Sequence, residues 1–127
     1  MPIITNVKIN PDQISHGQEF KVTVEATDNT GLDSVNLQVL DSTGSTITDN
    51  HQICDSNPCV KTFNSSDFIP NGSDQQTIIL PSGKYSLRIE AWDSFNPNKN
   101  RTSKLVDFEI IDSKTNNVQT TTETTNQ

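Results

Sequence analysis

Cys54 and Cys59 are the two cysteines of the chain, and the residues between them are Asp55-Ser56-Asn57-Pro58. Asn-Pro favours a turn, which brings the two sulfurs together. The expectation is a local disulfide, in keeping with a composition of extracellular character. A loop this short adds only about 2 kcal/mol in the chain-entropy model, so its role would be to stiffen a loop. The competing chemistry is a Cys₂His₂ zinc site completed by His51 and His16. Two further groups carry hard oxygen atoms. Asp28, Asn29 and Asp33 lie on one polar stretch, and Asp93, Asn96 and Asn98 lie on another. Calcium takes six to eight such oxygens, so it is the candidate cofactor if a fold brings the two stretches together. The alternative role of these Asx residues is turn geometry.

Signatures of turnover are missing. The chain has no G-x-S-x-G elbow, no H-E-x-x-H, no P-loop and no dinucleotide fingerprint. Both histidines sit in polar stretches, where solvated side chains are the rule. The reading is a protein that is not an enzyme.

The elements that must position these residues follow from period-2 alternation. Glu19 to Ala26 is the clearest case. Phe20, Val22, Val24 and Ala26 point one way, and Glu19, Lys21, Thr23 and Glu25 point the other. Ile3 to Ile9 turns in Ile3, Val7 and Ile9, and Leu32 to Leu40 turns in Val35, Leu37 and Val39. Lys84 to Asp93 turns in Tyr85, Leu87, Ile89 and Ala91, and Leu105 to Ile111 turns in Val106, Phe108 and Ile110. Weaker strands are expected at Thr46 to Thr48, Cys59 to Asn64 and Gln75 to Leu80. Turns rich in Pro, Gly, Asn and Asp separate them, as in Asp28-Asn29-Thr30-Gly31 and Pro81-Ser82-Gly83. Short strands with such spacing imply an all-β sandwich or barrel.

The run from Gly17 to Val35 resembles the first half of prokaryotic immunoglobulin-like surface domains. It has a Gly turn, an alternating strand and an Asp-x-x-Gly turn before Ser34-Val35. The run Gly83-Lys84-Tyr85 is similar to the start of strand F in immunoglobulin-like and fibronectin type III domains. The likeness covers roughly residues 3 to 112. It implies an antiparallel Greek-key sandwich of about seven strands, with Tyr85 as a tyrosine corner. The chain departs from antibody domains in having no cysteines in strands B and F. Thr48 to Ser73 is also long for a C-to-E connection, and a loop insertion is expected there.

The resemblance also implies that the B–C and F–G loops share one end of the sandwich. That would gather Asp28, Asn29, Asp33 and Asp93 as calcium ligands. If the F–G loop opens at Ser94 and closes at Ser103, Trp92 faces Leu105 across the hairpin. With Phe95 nearby, the three would form an apolar patch for a partner protein or a sugar ring. The function implied first is a non-enzymatic module of a cell-surface or secreted protein, acting in spacing or adhesion. A carbohydrate-binding accessory domain of a secreted enzyme comes second. A filament subunit that lends the strand Ile3 to Ile9 to a neighbour comes third.

Composition bounds the rest. The chain has 127 residues and a net charge of −7, with a pI near 4.5. That charge argues against nucleic acid or an anionic membrane surface as partner. No apolar run approaches the roughly 20 residues of a membrane helix, so no membrane insertion is expected. The start, Met1 to Thr5, lacks the regions of a signal peptide and reads as an excised or mature form. Lys114 to Gln127 has one aliphatic residue, Val118, and is expected to be a flexible Thr-rich linker or stalk. The domain is therefore taken as residues 1–112 and the tail as 113–127. Partners would be neighbouring domains of a larger chain and a surface protein or glycan. Three N-x-S/T sequons, at Asn64, Asn71 and Asn100, are no more than chance supplies.

Overall fold

The computed structural model describes residues 1–70, 80–94 and 100–112. Eight strands occur among them: β1 (Ile3–Asn10), β2 (Ile14–Ser15), β3 (Lys21–Thr27), β4 (Leu32–Leu40), β5 (Thr46–Ile53), β6 (Cys59–Asn64), β7 (Gly83–Asp93) and β8 (Arg101–Ile111). A single 3₁₀ turn, Ser65–Asp67, follows β6. The strands form two sheets, β1-β3-β6 and β2-β8-β7-β4-β5. The chain crosses between the layers after β1, β2, β3, β5 and β6, as in a Greek-key sandwich. All neighbours are antiparallel except β2, which runs parallel to β8 through Ile14 and Ser15.

The core is the meeting of the alternating inward faces. Val22, Val24 and Ala26 of β3 are fully buried, as are Val35, Leu37 and Val39 of β4 and Leu87, Ile89 and Ala91 of β7. These nine side chains follow the expected phase without exception. β-branched and aliphatic residues suit a pleated surface because they pack against same-face and facing neighbours. At one pole an aromatic cluster closes the gap between the sheets. Phe20 meets Phe68 edge-on at 5.6 Å, and Tyr85 stacks on Phe108 at 5.6 Å. Tyr85 Oη donates to the Pro81 carbonyl at 2.6 Å, which makes it a tyrosine corner. Burial first, and then the Asp41 carboxylate, raise the pKa of this phenol above its ordinary value.

Several expectations are corrected. β5 is a full strand of eight residues, longer than Thr46 to Thr48, and it takes up much of the expected insertion. Its buried face is polar. Thr48 Oγ1 accepts the Val39 N–H at 3.1 Å, and Asn50 Nδ2 donates to the Leu37 carbonyl at 3.3 Å. In β1 a bulge between Ile4 and Asn6 shifts the phase, so Ile3 is 59% exposed and Ile4 packs on the core instead. The segment expected as a donor strand is thereby built into its own chain, paired with β3 along its length. Most of the Gln75 to Leu80 strand and the tail from 113 onward lie outside the described residues; Leu80 is buried.

Replacing Tyr85 with Phe removes the hydroxyl and leaves the Pro81 carbonyl without its donor. The expected loss is about 1–2 kcal/mol of stability, read from urea unfolding midpoints. An unchanged midpoint would show that the corner does not hold the turn.

A candidate functional site at one pole of the sandwich

The pole opposite the aromatic cluster gathers the β3–β4 turn, the loop joining β5 to β6, the end of β7 and the start of β8. Its chemistry begins with Asp28, which follows β3. Asp28 Oδ2 accepts the Thr30 N–H at 2.8 Å and the Thr30 hydroxyl at 2.6 Å. The same Asp-x-Thr arrangement recurs at Asp41, whose Oδ1 accepts the Thr43 N–H and hydroxyl at 2.9 and 2.6 Å. An Asx side chain that bonds two residues ahead closes a turn without a main-chain partner. Gly31 then takes φ +115°, where a Cβ would meet Ser94 Oγ at 3.0 Å, so the turn can lie against the end of β7.

Asp93, the last residue of β7, lies on the inward phase and is fully buried. Its carboxylate accepts the Asn100 N–H at 2.8 Å and the Asn100 side-chain amide at 2.9 Å. Its own N–H donates to the Asn100 carbonyl at 3.0 Å. This clamp closes the β7–β8 turn and sets the register. Asn100 is also one of the sequons, and its side-chain nitrogen is occupied by the clamp.

The two carboxylates meet at one cation. The α-ammonium of Met1 lies 3.0 Å from Asp28 Oδ1 and 3.9 Å from Asp93 Oδ2, while both Asp side chains are fully buried. Asp28 Oδ1 has no hydrogen-bond donor of good geometry, so the ammonium is its charge partner. Thr30 holds the Asp28 pKa down at about 2, chiefly through its hydroxyl and then its N–H; burial opposes this, and the amino terminus adds to it. Of the expected calcium ligands, Asp28 and Asp93 therefore come together. Asn29 is exposed, and Asp33 is half-buried with its carbonyl accepting the Cys54 N–H at 2.9 Å. Among the described residues no three His, Cys, Asp or Glu side chains gather as a metal group. The expected four-residue set is thus reduced to a pair, and Asn96 and Asn98 lie outside the described residues.

Cys54 and Cys59 form a disulfide with Cα atoms 5.7 Å apart, which removes the zinc alternative. The bond sits deeper than expected. Cys54 follows β5 in the large sheet, and Cys59 opens β6 in the small sheet opposite Ala26. Both are buried, so the bridge staples the crossing between layers where only a stiffened loop was expected. It also presents Asn57, whose side-chain amide donates to the Asp28 carbonyl and whose Oδ1 accepts the Asp28 N–H at 3.2 Å. The disulfide loop thereby grips the main chain of the turn that carries the buried carboxylate.

Trp92 lies on the outward phase, as expected, but the patch around it differs. The observed register pairs Trp92 with Arg101 and Leu105 with Arg88, four residues from the expected alignment. The cause is the Asp93–Asn100 clamp, which starts β8 at Arg101. The Arg101 guanidinium lies over the Trp92 ring at 5.5 Å and 3.3 Å from Glu90 Oε2. Trp92 is half-buried, and Leu105 is 62% exposed two rows away. Phe95 lies outside the described residues. Trp92, Leu105 and Phe95 are therefore not shown as one patch; the neighbours of Trp92 are Arg101 and, across the sheet, Ser34.

Sequence reasoning gives Thr30 and Asn57 only as turn residues, Asn100 only as a sequon, and Arg101 no role. The Asp-x-Thr repeat was a legible signal for Thr30. Nothing local marks the bonds of the other three, whose partners lie 29, 7 and 11 residues away in Asp28, Asp93 and Glu90.

The depressed Asp28 pKa has a pH consequence. The unfolded chain titrates near 3.8 and the folded one near 2. The contribution is whole above the unfolded value and is lost as pH falls through the folded one. An Asp28→Asn variant resembles the protonated acid. It is expected to be less stable than the parent at neutral pH, with the difference vanishing towards pH 2. Urea midpoints across that range read this directly. A difference that stays constant with pH would contradict the role of the charge.

No protein-family model and no curated protein sequence matches the chain. Among solved structures it is similar to CopC from Methylosinus trichosporium OB3b, with a TM-score of 0.50 and 13% sequence identity. The alignment covers 88% of this chain and 95% of that one. At that identity the likeness concerns the fold: this chain is an all-β sandwich.

Proposed function

We propose that the chain is a non-enzymatic, immunoglobulin-like module of a secreted or cell-surface protein, serving as a spacer or adhesive unit. The observation that carries this reading is the direction of its first and last strands. β1 begins at the carboxylate pole, where Ile3 pairs with Thr27. β8 ends at the aromatic pole, where Ile110 pairs with Gly83. Neighbouring segments would therefore leave along opposite ends of the long axis, as a spacer requires. The buried disulfide supports an oxidising compartment, since cytosolic thiols are kept reduced. Neighbouring domains and a surface protein or glycan remain the proposed partners. In cells that make the protein, trapping of thiols with a bulky maleimide should leave both cysteines unmodified until a reductant is added. Full modification without reductant would place the protein in a reducing compartment and remove the proposal.

A second reading, glycan binding, has one observation in its favour. The outer face of the large sheet places Asn36, Gln38, Arg88 and Glu90 in adjacent rows beside Trp92. Planar amides and charges next to an aromatic ring match the alternating hydroxyls and C–H faces of a sugar. Under this reading a soluble polysaccharide panel yields binding that Trp92→Ala weakens about tenfold or more. Binding untouched by the substitution, or none across the panel, would set this reading aside.

A further inference from the structure

The open edge of β8 carries a patterned row of exposed side chains. β8 is eleven residues long, but β2 covers only its end, pairing with Ile110 and Ile111 in parallel so that the Glu109 carbonyl is also turned to it. The His16 N–H bonds the Ile111 carbonyl at 2.8 Å, so Ile111 turns its main-chain groups towards that edge. The Asp93–Asn100 main-chain bond gives the same parity: the even-numbered residues of β8 face β7. Main-chain direction alternates along a strand. Ser103, Leu105 and Asp107 therefore point their N–H and C=O groups out of the sheet, and no strand among the described residues pairs with them.

The side chains along the same row are self-complementary. Arg101, Ser103, Leu105, Asp107 and Glu109 are all exposed on the outer face. Turning this row about a two-fold axis through Leu105 sets it against itself in antiparallel register. Leu105 then faces the partner's Leu105, Ser103 faces the partner's Asp107, and Arg101 faces the partner's Glu109. A cation meets an anion, a hydroxyl meets a carboxylate, and the most exposed aliphatic residue of the strand meets its own kind. The odd–odd pairing is also the one in which both main chains present donors and acceptors to each other. Val106 and Phe108, half-buried beside the open edge, gain cover from the new strand. One feature opposes the contact: Lys104, exposed on the other phase, is a charge of the kind that blunts edges.

We propose that the β8 edge is a homodimer interface, in which two copies of this chain join their large sheets through β8 about a two-fold axis at Leu105. The occupant is a second copy because the row is complementary to itself, and an isologous pairing demands that. The contact is a single strand pair with Lys104 one residue from its axis, so the dimer is weak and forms at high protein concentration.

Sedimentation equilibrium from micromolar to millimolar protein tests this. The parent chain should show a reversible monomer–dimer equilibrium. Leu105→Pro removes an N–H that points to the edge and not to β7, so the intramolecular ladder survives while the dimer is lost. Leu105→Lys is the second variant; it leaves the backbone unchanged and sets two ammonium groups against each other at the axis. Glu109→Arg should weaken dimerisation by about tenfold, and the exchange Arg101→Glu with Glu109→Arg should restore it. A parent chain that stays monomeric at millimolar concentration overturns the proposal. So does a dimer that Leu105→Lys leaves intact, or one that the charge exchange fails to restore.

Discussion

The structure depends on one constraint: the inward faces of β3, β4 and β7 must bury each other completely. Nine of their aliphatic side chains reach zero exposure. At about 25 cal/mol per Å² of apolar surface removed from water, this is the term that offsets the ordering of a chain otherwise rich in Thr, Ser and Asn. Because side chains alternate at period 2, the same burial forces the polar residues of those strands outward. The outer face of the large sheet is thus an automatic consequence of the inner one. That face carries Trp92 with its Arg101 cap, the amide rows and the free edge of β8.

Burial of this kind explains the layers but not how the connections close. At one pole the closure is aromatic, with Phe20, Phe68, Tyr85 and Phe108 filling the space between sheets. At the other pole it is electrostatic. Asp28 and Asp93 are both withdrawn from water, which is costly for a charge without partners. Thr30 and Asn100 supply those partners. Each donor belongs to a different turn or strand, so the two carboxylates fix the ends of several elements at once. The disulfide loop adds a further hold through Asn57.

The legible part of this fold was the part decided by hydrophobic alternation. β3, β4, β7 and the second half of β8 could be read with their phases, because there Val, Leu, Ile, Ala, Tyr or Phe alternates with polar residues. The tyrosine corner was legible through resemblance, and its hydrogen bond forms as that implied. β5 was underestimated because its buried positions are Thr48 and Asn50, which satisfy main-chain groups and carry no hydrophobic signal. In β1 the bulge moved the core contact from Ile3 to Ile4, a one-residue shift that alternation alone cannot announce. The hairpin register failed for a related reason: it is set by Asp93 gripping Asn100, not by any pattern within β7 or β8. Of the candidate site, the two cysteines and the Asp28–Asp93 meeting were foreseeable. The partners that neutralise those carboxylates come from distant segments and were not.

The stability of the fold resides in the buried faces of β3, β4 and β7. Native-state amide hydrogen exchange, resolved residue by residue, measures this most directly. The slowest exchange is expected at amides within these three strands that are paired in the ladders, around Val22, Val24, Leu37, Leu87 and Ile89. Amides of β1 and of the disulfide loop should open at lower free energy. Slowest exchange in β1 or β5, with rapid exchange in β7, would contradict the account.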